Sequence, residues 1–234
     1  MKTQPIPQAA LREESKAATQ QAILAVAAKQ HAEGGPKAVS PHAIARELRL
    51  APSVVLRLFP TRDAVITGLL IQGYSSLGNA LAKAEAAVPR SDLAGRVEAL
   101  FLAERTWALH HPSTWALLYG LPVPDYLAPS ELIGPASAFF GLMLGVFDDA
   151  GPLGLFPPTP PVGSVLPPPG SVASAQAMAV GAPDWLVATA IGAWEWVIGA
   201  ISAELWGHLV GVVDQPEALY RAGAHTWVQR LGLA

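Results

Sequence analysis

The sequence predicts an all-α protein in two parts: an N-terminal three-helix helix-turn-helix domain and a larger C-terminal helical bundle. Three observations predict it. Apolar residues recur at helical spacing along most of the chain, with no strand-like alternation of useful length. Prolines and glycines fall where such segments end. The early segments are short and separated by a tight turn, whereas those beyond Pro89 are long.

The elements follow in order. Residues 1–14 read as a flexible arm, 15–66 as the helix-turn-helix domain and 67–234 as the second domain. Ser15 to Glu33 has apolar Ile23, Leu24, Val26, Ala27 and Ala28, and closes at Gly34-Gly35-Pro36. Ser40-Pro41 opens a second helix, with serine as N-cap and proline at the first helical position. It runs to about Arg49. Pro52 disfavours helix at Ala51, so the chain turns there and restarts as a third helix, Pro52 to Phe59. Thr61 then caps a fourth from Arg62 towards Ala87.

Ser91 is expected to cap a helix to His110, with Leu93, Val97, Leu100, Phe101 and Trp107 inward. Another runs from Pro112 to about Tyr119. Pro129 to Asp149 reads as one apolar helix containing Gly134, Gly141 and Gly145. Eight prolines between Gly151 and Gly170 predict an irregular loop, counted here as 151–173. Two helices remain, Pro183 to about Val213 and Pro216 to Leu231.

Composition narrows the function classes. Half the residues are hydrophobic (51%) and only 14% charged, enough apolar material to bury a core. There are no cysteines, which excludes thiol catalysis, disulfides and cysteine-bearing metal sites and fits a cytoplasmic protein. The most apolar stretch, Trp185 to Val213, carries Glu195, Glu204 and His208, so a buried helix is expected rather than a membrane span. Residues 1–70 hold nine Lys/Arg against five acids, and the rest six against thirteen. Only the first part therefore suits a polyanion.

Within residues 21–66 stand Ile23-Leu24, Glu33-Gly34-Gly35, Val39-Ser40, Ile44-Ala45, Pro52 and Phe59-Pro60-Thr61-Arg62-Asp63. In order and spacing they resemble the DNA-binding domain of the TetR family of transcriptional regulators. Trp107, His111-Pro112 and Ser202 to Leu209 resemble the C-terminal domain of the branch called the WHG type. The resemblance implies a ligand-binding and dimerisation domain, a homodimer through the last two long helices, and a double-stranded DNA operator.

On that resemblance the candidate DNA-binding residues are Lys37, Ser40, His42, Ala51, Ser53, Val54, Arg57, Thr61 and Arg62. Arg57 can pair with guanine or phosphate, and Arg62 stands where the family commonly has a phosphate-contacting lysine. The chain departs from the pattern at Leu56 (usually tyrosine), Arg49 (the turn glycine) and Ala51 (a serine or threonine cap). Trp107, Trp115, Tyr119, Tyr126, Phe140, Met143, Phe147 and Trp194 are candidates to line a cavity, and the scarcity of charge there suits a small apolar effector.

No catalytic group, cofactor or metal set is expected. His110-His111 are adjacent and diverge, and Glu204 with His208 lacks a third ligand. Two functional readings stand: a repressor released by its effector, and a helical ligand- or partner-binding module of the same family that has lost specific DNA recognition.

Overall fold

The computed structural model describes residues 8–151, 156–173 and 182–233, all helix, turn or irregular chain. Ten α-helices lie among them: α1 (Gln8–Gly34), α2 (Pro41–Glu47), α3 (Pro52–Leu58), α4 (Arg62–Ala86), α5 (Leu93–His110), α6 (Pro112–Tyr119), α7 (Ile133–Ala136), α8 (Ala138–Ala150), α9 (Asp184–Leu205) and α10 (Pro216–Arg230). They divide into two compact units. One comprises the chain to Gly73 with residues 113–133, the other 74–112 with 134–234.

The first unit is built on Ile23, Ala27, Val39, Ile44, Ala45, Val55, Phe59, Val65 and Leu69, all buried. The expected caps are present. Ser40 Oγ accepts from the Ala43 amide at 3.4 Å, and Thr61 Oγ1 accepts from the Ala64 amide at 3.0 Å. α1 starts at Gln8 rather than Ser15, because Ala9, Ala10, Leu11, Glu13 and Glu14 are strong helix formers. Residues 1–7 of the expected arm lie outside the described residues.

α2 closes by a six-residue return. The Leu50 amide bonds the Ala45 carbonyl at 2.9 Å, and the Arg49 amide bonds Arg46 at 3.2 Å. This motif puts its penultimate residue in the left-handed region, and Arg49 has φ 54°. A side chain there costs about 1–2 kcal/mol that glycine avoids.

Beyond α4 three expectations are corrected. Asp92, not Ser91, caps α5, its Oδ1 accepting from the Gly95 amide at 2.8 Å. Pro129 to Asp149 is not one helix. A 3-10 turn (Ser130–Leu132) and α7 precede α8, and the axes bend by 50°. Pro135 has no N–H to continue the ladder, and the Ser137 amide turns back to the Gly134 carbonyl at 3.1 Å. α9 ends at Leu205 instead of continuing to Val213. Gly207 adopts φ 79° and the His208 amide returns to the Ala203 carbonyl at 2.9 Å.

Residues 156–172 of the proline loop are bends, turns and irregular chain, and they are fastened. The Val165 amide donates to Thr189 Oγ1 at 2.9 Å, and Ser164 Oγ donates to the Arg230 carbonyl at 2.7 Å. α9 is long and apolar enough to cross a membrane by length and composition. Its stretch Trp185 to Ala190 is buried within the second unit, as in the core helices that pass the same test.

Candidate nucleic-acid interface and sensor core

α2 and α3 are two seven-residue helices packed on each other. α3 turns Val55 inward, while Val54 and Leu56 are half-buried. Ser53 and Arg57 are exposed, and Arg57 has no hydrogen bond or ion pair among the described residues. Lys37, on the 3-10 turn Pro36–Ala38, and His42, on α2, are likewise exposed and unpaired. Ala51 precedes α3 without a side-chain cap. Ser40 is half-buried and already engaged, since its amide donates to Gln30 Oε1 at 3.1 Å.

Arg62 is committed inside the unit. Its Nε and Nη2 donate to the Pro36 carbonyl at 3.3 and 2.9 Å, and its Nη1 lies 3.6 Å from Asp63. That ties the start of α4 to the 3-10 turn. Arg46 and Arg49, passed over as candidates in the sequence, are exposed without an ion pair. Glu47, between them, is occupied by Lys29 at 3.1 Å, and this contact raises the lysine's pKa. The exposed positive charge of α2, α3 and their turn is therefore free to meet an anion.

The eight candidate cavity residues are shared between the two units. Trp115, Tyr119 and Tyr126 belong to the first unit. Trp115 is fully buried with its ring 4.5 Å from that of Tyr119, and the Tyr126 and Thr67 hydroxyls share a 2.8 Å bond. Trp107, Phe140, Met143, Phe147 and Trp194 belong to the second. Trp107 donates its Nε1 to Ser76 Oγ at 3.1 Å, and Phe140 lies 5.2 Å from Trp194. Met143 and Phe147 are ordinary core.

The described residues of the second unit leave openings between helices. A groove of about 430 Å³ between α9 and α10 is lined by Trp196, Ala200, Ala203, Leu209, Leu219 and Tyr220. Another of about 600 Å³ between α4 and α5 is lined by Ala80, Lys83, Ala84, Leu102, Trp107 and His110. Of the eight candidates, Trp107 lines the second and the others line neither.

A second aromatic group, which Tyr220 completes, lies in the same unit as Trp107. Phe101 lies 6.1 Å from Phe139 and 6.2 Å from Trp196, which stacks 4.9 Å from Tyr220. Tyr220 donates to the Phe101 carbonyl at 3.0 Å. Polar groups fasten the helices around them. Buried Arg96 on α5 holds Glu85 of α4 at 2.6 Å and Asp149 of α8 at 2.8 Å. Arg105 grips Glu204 of α9 through two bonds at 2.8 and 2.7 Å. Glu104 is fully buried, and burial pushes its carboxyl up to about 8. No group of three or more His, Asp or Glu side chains suits a metal among the described residues. Glu204 is taken by Arg105, and His208 is exposed beyond the end of α9.

The profile of the tetracyclin repressor-like C-terminal domain matches residues 97–226, over half the chain. The chain belongs to the TetR family. The HTH-type transcriptional regulators Rv1816 of Mycobacterium tuberculosis and Mb1846 of Mycobacterium bovis are each 34% identical over 128 residues, 55% of this chain and 53% of theirs. The chain thus spans about half the length of the curated relatives it matches. A crystal structure of a protein described as regulatory, SCO4313, is 26% identical with TM-score 0.73, over 92% of this chain and 97% of that one. A TetR-family regulator from Shewanella sp. PV-4, 16% identical with TM-score 0.60 over 89% of this chain and 95% of its own, shares the fold.

The all-α class, with a helix-turn-helix head and a helical C-terminal domain, stands on this kinship and on the helices themselves. The curated relatives are HTH-type transcriptional regulators. The departures from the family pattern take physical form. Arg49 occupies the left-handed turn, Ala51 leaves α3 uncapped and Leu56 is half-buried.

Proposed function

We propose that the chain is a cytoplasmic, DNA-binding transcriptional repressor that acts as a homodimer and is released by a small, mainly apolar effector. The observation that carries the reading is the set of unpaired exposed cations Lys37, Arg46, Arg49 and Arg57 on a helix-turn-helix in a TetR-family chain. Arg57 contacts base or phosphate from α3. Lys37, His42, Ser53 and Thr61 contact backbone, and Val54 packs on a thymine methyl. Ser40 and Arg62 act by holding the reading helices in place, Arg62 through Pro36, and Ala51 meets the DNA backbone at the uncapped start of α3.

The dimer forms through α9 and α10. Trp206, Val210, Val212 and Leu219, on and beside these helices, are 50% to 82% exposed, an apolar surface that calls for a partner. The effector binds in the second domain, among residues such as Trp107, Phe140 and Trp194. A ligand that prefers the state with misplaced reading heads weakens DNA binding by the ratio of its affinities for the two states.

Selection of bound DNA from a random pool tests the reading. Enrichment of one site, with binding weakened by salt and by Arg57→Ala, is expected. Half-buried Leu56 and uncapped Ala51 favour a second reading, a module without specific DNA recognition, and an unenriched pool would select it.

A further inference from the structure

We infer that Glu104 is the polar anchor of the effector site, and that it selects an effector carrying a basic nitrogen on an apolar body. This rests on the effector-responsive reading above and deepens it.

Glu104 stands in the buried stripe of α5, among Leu100, Phe101, Trp107 and Ala108. Its side chain is wholly inaccessible, and neither carboxyl oxygen has a hydrogen-bond partner. Buried polar groups nearly always have partners, so an orphan of this kind points to one that is missing. The protein's own cations do not supply it. Arg105, the next residue, is held through two bonds by Glu204, and Arg96, two turns earlier, is held by Glu85 and Asp149.

The surroundings suit a cation. One turn before Glu104, Phe101 meets Phe139 and Trp196, and Trp196 meets Tyr220. Tyr220 donates to the Phe101 carbonyl, and its pKa is raised first by burial and then by the Glu104 charge. Trp196 and Tyr220 line the groove between α9 and α10, the Glu104 charge acts on Tyr220, and a cation, the Arg105 guanidinium, already lies 5.7 Å from the centre of that ring. Ring faces attract cations, and a carboxylate supplies the full counter-charge.

The binding step balances simply. An ammonium enters, Glu104 gives its proton to solvent, and an ammonium–carboxylate pair remains; no covalent bond to carbon forms or breaks. With a carboxyl titrating at about 8, roughly 0.9 of a proton is released per ligand at about pH 7.

The full chain is titrated calorimetrically with phenylbutylamine and with the isosteric phenylbutanol, in two buffers of different ionisation enthalpy. The amine is expected to bind at least about tenfold more tightly than the alcohol and to release close to one proton. Glu104→Gln should abolish both the preference and the release. Absence of amine binding, equal affinity for amine and alcohol, or a proton count near zero would overturn the inference and leave the carboxyl to a buried water. If Glu104→Gln fails to fold, the wild-type affinity ratio and proton count decide alone. DNA selection needs no effector, so failure of the regulator reading is seen separately from failure here.

Discussion

Glu104 makes the second domain sensitive to alkali in a way that can be calculated. Its carboxyl titrates near 8 in the folded chain, against the ordinary value of 4.5 when unfolded. Between those two pH values the folded state retains a proton that the unfolded state has lost, so stability falls as pH rises. Each pH unit in that window removes about 1.4 kcal/mol, and the whole window removes on the order of 5 kcal/mol. Below about pH 4.5 the penalty is absent, and above about pH 8 it is complete. Against a typical domain stability of about 5–15 kcal/mol this is a large fraction. Glu104→Gln keeps the shape and cannot ionise. Urea unfolding followed by circular dichroism at about pH 5 and about pH 9 should give similar stabilities at the lower pH and a variant more stable by several kcal/mol at the higher. Parallel pH profiles for the two proteins would refute the reasoning, because the carboxyl would then be solvated or paired in the folded state.

Three further outcomes follow from single residues. Arg49→Gly should stabilise the chain by up to about 1 kcal/mol, the left-handed strain relieved less the extra freedom glycine gives the unfolded chain; a loss in urea unfolding would show that Arg49 is unstrained. Arg96→Ala leaves Glu85 buried without its main partner and should cost about 3–5 kcal/mol by the same assay, whereas a loss below about 1 kcal/mol would mean the cluster is solvated. Leu219→Glu places a charge on the exposed α9–α10 face and should shift sedimentation from dimer to monomer; an unchanged dimer would place the interface elsewhere.

The sequence made the reading head legible because its signals are local. Ser40 and Thr61 cap the helices that follow them, and Gly34-Gly35-Pro36 and Pro60 mark ends, since capping and chain breaking depend on a few neighbouring atoms. Neighbouring candidates compete, however. Asp92 outbids Ser91 because its carboxylate reaches the Gly95 amide. The apolar run from Pro129 hid a break at Pro135, and the run through Val213 hid the left-handed turn at Gly207. Hydrophobicity continued across both, while backbone geometry did not.

The aromatic core was less legible. A large ring announces burial but not its partner, so candidates that read as one set fell into two units. Tyr220 went unnoticed, and Phe101 was read as inward without its partners, because their ring and hydrogen-bond contacts join residues up to 119 positions apart. The burial of Glu104 was not legible either. A glutamate in an amphipathic helix usually faces water, and only the packing around α5 turns it inward.

The measurement that bears most directly on the account is the salt dependence of binding to DNA selected from a random pool, for the wild-type chain and Arg57→Ala. One enriched, two-fold symmetric site is expected, with log affinity falling linearly with log salt and a slope shallower by about one in the variant. A pool without enrichment, or binding indifferent to both salt and Arg57, would contradict it.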